Sequence, residues 1–514
     1  MLSRWCIASL LLLAMAAAQP SVSAQGVVNA ASNARVGWPN SSIAQGSIFS
    51  IYGSGLGPSA SPQFTYPLQM TLAGVSVQIV SGNTAASAIP IFVSPSQINA
   101  ILPDNTPAGT AALTVTYGGQ TSNSASFQVV AHSFGIFTVN STINGAGIIT
   151  GASYQLYSVN APARPGDAAS IWGTGIGASP GDDGTAPPPQ NNMPNLPVSI
   201  YVGGQEANVV YRGRAGFPGE DQINFVVPAG VTGCYIPVAV LIGNVVSNFA
   251  TLPIAPAGQA CPDPGMIEPN LPTGNITLTR STIIGSSSTT TDSGQAFFGD
   301  PQLLGSPQPG SGNPLSLPVS LPPGACIGGI DDSATLSILF EVLDAGTITI
   351  TGPNGSRQLT YAAPFYSTVL GGGTGGNPSP LFLDAGAYSV SSAGTSQVGA
   401  FSQSFTIPQP LTWSNAGAIT TVDRSAGVAI TWSGGDPNGT VQITGGFGAF
   451  ICSASTSAQQ FTVPPIILLS LPPSGASPGT LTMSATSSTA FSASGIGLAT
   501  IDSVVTITKN VIYQ

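Results

Sequence analysis

No stretch of this chain runs far before a glycine or a proline interrupts it. There are 64 glycines and 45 prolines in 514 residues. Proline removes a backbone donor and glycine weakens helices, so long helices cannot survive this density. Between the interruptions lie short alternating runs rich in Val, Ile and Thr: VSVQIV (75–80), ALTVTY (112–117), TITIT (347–351), VAITW (428–432) and VTIT (505–508). Alternation of this kind marks half-buried strands. Many short strands at regular spacing predict an all-β protein of tandem sandwich modules. Hydrophobic residues make up 42% of the chain, enough to fill several cores.

The chain carries an internal duplication. GSIFSIYGSGLG (46–57) recurs 120 positions later as GDAASIWGTGIG (166–177). Gln97-Ile98-Asn99 recurs as Gln222-Ile223-Asn224 and Ser122-Asn123 as Ser247-Asn248, both 125 positions on. One unit of about 120 residues therefore occurs twice. The glycine-rich stretches have the look of phosphate loops, but their context excludes that. GSGLG runs into PSASP and GTGIG into ASPGDDGTAPPP, with no lysine and no helix start to receive a phosphate. They read instead as strands leaving a sheet through glycine turns, with Tyr52 and Trp172 as matched core aromatics.

PGDAASIWGTGIG resembles the opening of IPT/TIG immunoglobulin-like domains. The wider set GVVNAAS (26–32), IAQGSIFSIYGSGLG (43–57), LAGVSVQI (72–79), VSPSQINAILP (93–103) and HSFGIF (132–137) resembles the Solibacter-type uncharacterised domain of secreted acidobacterial proteins. The second copy departs from it: VSPSQIN becomes GFPGEDQIN, and no second HSFGIF follows. The resemblance implies an Ig-like β-sandwich in an exported protein, and it supplies no catalytic residues.

Arg4 followed by the apolar run WCIASLLLLAMAAA and by Val22-Ser23-Ala24 reads as a leader over residues 1–24. The modules expected after it are 25–138, its repeat 139–262, a loop-rich β module 263–410 and a C-terminal β-sandwich-like module 411–514. The last two are open to being separate sandwiches or one composite domain. Together they predict an elongated chain of modules. Pro353-Asn354-Gly355 between two alternating runs predicts a hairpin, and Trp413 and Trp432 are expected core anchors. Residues 281–320 are Ser/Thr/Gly/Pro-rich and read in part as a loop-rich connection.

Charged residues are 5% of the chain and the net charge is −10. No basic footprint exists for nucleic acid, and no later run is long enough to anchor in a bilayer. Four cysteines follow the leader: Cys234, Cys261, Cys326 and Cys452. An even count in an exported chain predicts disulfides. The first copy lacks both Cys234 and Cys261, so these two are expected to pair, leaving Cys326 for Cys452.

His132 is the single histidine, at a module end, and reads as a boundary residue rather than a triad member. No cofactor or metal site is predicted; the doublets Asp182-Asp183 and Asp331-Asp332 read as solvated turns. Tyr211-Arg212-Gly213-Arg214 is the densest positive patch. Glu220 and Asp221 follow closely, so the first reading is a loop pinned by its own ion pairs; the second is a contact point for a partner or an acidic glycan, formed by Tyr211, Arg212, Arg214, Asp182 and Asp183. The expected function is a non-catalytic binding, adhesion or structural protein outside the cell or at its surface. Its partner would be an unspecified protein or glycan, with no nucleic acid and no transmembrane anchor. A glycan-binding accessory protein of a polysaccharide-processing system is the alternative, and a cryptic hydrolase the third reading.

Overall fold

A computed structural model describes residues 19–514 except 60–63, 140, 142, 180–191, 262–270, 303–320, 331–338, 363–364, 374–377 and 447. The protein is all-β, built of tandem Ig-like units, with one five-residue helix, Pro465–Leu469, among the described residues.

In the first repeat the strand order runs Ser21–Asn29, Ile48–Ser54, Gln97–Ile101, Thr84–Val93, Val75–Ser81, Gly109–Tyr117, Ala125–Val130. The sheet folds over on itself because Thr84–Val93 pairs with Val75–Ser81 through its first half and with Gln97–Ile101 through its second. Alternation places Phe49, Ile51, Val77, Ile79, Ile98, Leu113 and Val115 in one core. The second repeat has the same order: Ala168–Thr174, Asp221–Val226, Gln205–Arg214, Val198–Val202, Gly233–Ile242. Even the bulges correspond. The register slips between Pro90 and Phe92 in one repeat and between Val209 and Tyr211 in the other.

The glycine motifs occupy equivalent positions: Tyr52 faces Gln97 across the ladder and Trp172 faces Gln222. Neither aromatic is a core residue, contrary to expectation. Phe49 and Ile51, or Ala169 and Ile171, already point inward, so strand parity turns the next residue outward. Tyr52 is 36% exposed, and Trp172 donates from its indole to Thr150 Oγ1 at 2.9 Å.

Two boundaries also move. Ser21–Ala24, read from sequence as leader, lie in the strand Ser21–Asn29, and Val22 is buried. HSFGIF, read as the end of the first module, opens the second: Gly135–Ile136 pairs with Ala168–Thr174, and Phe134 and Ile136 join the second core.

The last two blocks share one sheet. Thr273–Ile284 lies parallel to Leu498–Tyr513 and antiparallel to Thr289–Gln302. Leu498–Tyr513 passes from a core holding Ala499 and Ile501 to another holding Ile507, Val511 and Tyr513. Residues 281–302 of the expected loop-rich stretch thus belong to a long hairpin, and 303–320 lie outside the described residues. The expected turn at 353–355 joins Ile348–Gly352 to Gly355–Leu359. Trp413 and Trp432 lie opposite each other and are buried. The second repeat does not stand apart as one bead of an extended string. Its Ala239, Val246 and Phe249 belong to the C-terminal core, and Trp38 of the first repeat packs against that core.

Candidate functional site: the joint between the repeats

Polar groups join the two repeats through contacts that each repeat alone leaves incomplete. Asn29 holds a tight turn, its Oδ1 accepting from the Ala31 and Ser32 amides. Its Nδ2 donates across the boundary to the carbonyls of Ser133 and Thr174, at 3.0 and 3.3 Å. The Ile48 amide donates to Thr174 Oγ1, which donates in turn to the Gly219 carbonyl at 2.6 Å. His132 is a boundary residue: its Nδ1 lies 2.7 Å from the Ile176 carbonyl.

Arg214 sits at the centre of this joint. It ends the strand Gln205–Arg214, opposite Asp221, which begins the next strand. Both side chains are fully buried. Arg214 donates to Asp221 Oδ1 at 2.5 Å and to the Gly177 carbonyl at 2.8 Å. It also lies 3.5 Å from Asp104 Oδ1 of the first repeat. Asp104 accepts from the Ser179 amide at 3.0 Å and Asp221 from the Ile176 amide at 2.8 Å. Gly46, at φ +72°, leaves room for this cluster: a Cβ there would meet the Asp104 carboxylate and the Arg214 guanidinium.

Asp104 and Asp221 share one guanidinium, and Glu220 lies beside Asp221. Burial raises Asp221 to about 6 against the opposing pull of Arg214. Burial, with the Asp221 charge beside it, raises Glu220 to about 7.

At the rim, Phe64 and Tyr66 of the first repeat meet Phe217 of the second. Ring centroids are 5.5 Å apart for Phe64 and Phe217, and 6.4 Å for Tyr66 and Phe217. Tyr66 is 47% exposed and Phe64 37%. Burial and then the Glu220 charge raise the Tyr66 phenol.

The expected contact region is rearranged by this geometry. Arg214 is an internal tie and offers nothing to a partner, because Asp104 reaches it from another module. Tyr211 is half-buried, its hydroxyl donating to the Arg214 carbonyl at 2.6 Å. Arg212 donates to the Leu196 carbonyl at 3.1 Å, pinning the segment before Val198. Asp182 and Asp183 lie outside the described residues, as do Asp331 and Asp332. Sequence reading missed Asp104, Phe64, Tyr66 and Phe217. One signal was present: the first repeat has Ser96 where the second has Asp221, next to the matched Gln-Ile-Asn, so the departure GFPGEDQIN marks the joint.

Cys234 and Cys261 are bonded, with Cα atoms 5.4 Å apart. Cys326 and Cys452 are bonded across paired strands. Among the described residues no helix is long and apolar enough to cross a membrane, and no group of three or more His, Cys, Asp or Glu is placed to hold a metal.

Residues 38–129 match the family model of the IPT/TIG domain, well under half of the chain. No curated protein matches. Among solved structures, the chain is similar to a tetra-tandem repeat from the extending region of a large adhesion protein, at 13% identity and TM-score 0.14, covering 90% of this chain and 96% of that one. It is similar to Sidekick-1 immunoglobulin domains 1–4, at 11% identity and TM-score 0.13, covering 88% and 94%. It is also similar to the Bacteroides ovatus protein SGBP-B, solved with a mixed-linkage heptasaccharide, at 10% identity and TM-score 0.13, covering 79% and 85%. Superpositions this loose carry no argument about function.

Proposed function

We propose that this chain is an exported, non-catalytic binding or adhesion protein that works outside the cell or at its surface. Its two N-terminal repeats would be of the Solibacter-type class that the GVVNAAS and QINAILP motifs resemble. The observation that carries the reading is the joint. Ordinary tandem modules meet through modest, polar contacts and move relative to one another. Here a fully buried Arg214–Asp221 pair, reached by Asp104 of the preceding repeat, fixes one module on the next. A fixed joint serves presentation of a surface better than it serves a catalytic cycle. Two disulfides suit an oxidising compartment.

The aromatic cluster favours the second reading, glycan binding, because exposed rings offer flat apolar faces to sugars without charge. Low charge on the chain predicts association that is insensitive to salt. Purified protein is to be tested on immobilised polysaccharides and surface proteins, alongside an esterase and glycosidase screen. Retention with no turnover supports the reading. Turnover that survives purification and is lost on mutation of a single residue overturns it. Retention by glycans that is lost in Tyr66→Ala with Phe217→Ala selects the glycan reading over protein adhesion.

A further inference from the structure

The two repeats match upstream of the point where their sequences do. In the second repeat Gly135–Ile136 lies opposite Thr174 and Gly173, and Ile149–Gly151 continues along the same strand. In the first repeat one strand does both jobs. Ser21 and Val22 lie opposite Ser54 and Gly53, and Val27 lies opposite Ile51.

The fastenings are the same atom for atom. Asn248 Oδ1 accepts from the Ile136 amide at 2.8 Å and its Nδ2 donates to the Ile136 carbonyl at 3.0 Å. Asn123 Oδ1 accepts from the Val22 amide at 2.9 Å and its Nδ2 donates to the Val22 carbonyl at 3.0 Å. The repeated glycine has the same reason in both places. A Cβ on Gly173 would collide with the Gly135 carbonyl oxygen, and one on Gly53 with the Ser21 carbonyl oxygen. Val22 is buried as Ile136 is. Gln19 adds a bond from its Nε2 to the Thr121 carbonyl at 2.6 Å.

Residues 19–24 therefore include a structural strand of the first repeat, and removing them would strip the first repeat of an element its twin retains. We infer that the leader is cut after Ala18, between Ala18 and Gln19, and not after Ala24; the inference rests on the export reading above. Ala16-Ala17-Ala18 supplies the small residues that leader cleavage needs, and residues 1–18 keep the charged start and apolar run of a leader. Hydrolysis breaks the Ala18–Gln19 amide. Water gives its hydroxyl to the Ala18 carboxyl and its proton to the Gln19 amine.

The test is the N-terminus of the full chain, exported by a bacterial host and read by intact mass and N-terminal sequencing. A start at Gln19, free or cyclised, is expected. A start at Ser23 or later overturns the boundary alone, whereas a chain that keeps Met1 overturns export. A second measurement is independent of processing. Chains beginning at Gln19 and at Gln25 are made directly, each with and without Gly53→Ala. The longer chain should melt higher, and Gly53→Ala should lower its melting temperature while barely moving that of the shorter one. Equal effects of Gly53→Ala in both chains would show that residues 19–24 do not occupy this strand, and would overturn the inference.

Discussion

Replacing Arg214 with methionine tests the joint most directly. Methionine fills much of the same volume but leaves Asp221 buried without its counter-charge. Breaking a buried pair from one side destabilises by about 3–5 kcal/mol, because the surviving charge keeps its desolvation penalty. At about 4 °C per kcal/mol for a unit of this size, the transition that includes the second repeat should fall by roughly 12–20 °C at pH 8. Adding Asp221→Asn should recover about half of that loss, since the amide oxygen still accepts from Ile176, while Asp104 stays without its cation. The pH dependence has a definite sign. Asp221 and Glu220 bind protons more tightly in the folded chain, at about 6 and about 7. The folded state thus holds more protons than the unfolded one between about pH 4 and 7, and the parent's stability falls as pH rises through that window. Arg214, Glu220 and the Tyr211 phenol act on Asp221, and Asp104 contacts the same Arg214. Without Arg214 the Asp221 carboxyl is raised further, so the deficit of the variant should shrink at pH 5. Calorimetry at pH 5 and pH 8 decides. A variant within about 3 °C of the parent at pH 8, or a deficit that grows on acidification, refutes the reasoning.

Replacing Cys326 and Cys452 together by alanine removes a link across 126 residues inside a core. A loss of about 2–5 kcal/mol is expected, read as a lower urea midpoint; reductant, which opens Cys234–Cys261 as well, should lower the midpoint of the parent at least as far. Asn248→Ala strands the Ile136 amide and releases the Ile136 and Ile143 carbonyls. It should cost about 2–3 kcal/mol, and amide exchange near residues 135–143 should accelerate. His132→Ala should leave binding unchanged, because its ring contacts the Ile176 carbonyl within the joint; loss of binding in a folded variant would give the ring a direct role.

What could be read along the chain was whatever neighbouring residues encode. Strand alternation, glycine and proline punctuation and the duplicated motifs are local, so the all-β class and the two repeats are legible in the sequence. The cysteine pairing was legible for a related reason: the first copy lacks both Cys234 and Cys261, which marks them as a unit. Parity along IFSIYG even held the answer for Tyr52, since Phe49 and Ile51 already fix the inward face. Other features depend on residues far apart in sequence. Arg214 reads as a surface cation until Asp104, over a hundred positions earlier, is brought against it and water is excluded. Phe64 and Phe217 make one cluster only because the joint fixes their modules. The last two blocks look separable because their strands are far apart in the chain, yet Thr273–Ile284 finds its parallel partner at Leu498–Tyr513. Hydrogen bonds between distant strands carry no short-range signature, so only the tertiary structure decided that those blocks share a sheet and that Arg214, the last residue of the densest positive patch, lies inside the protein.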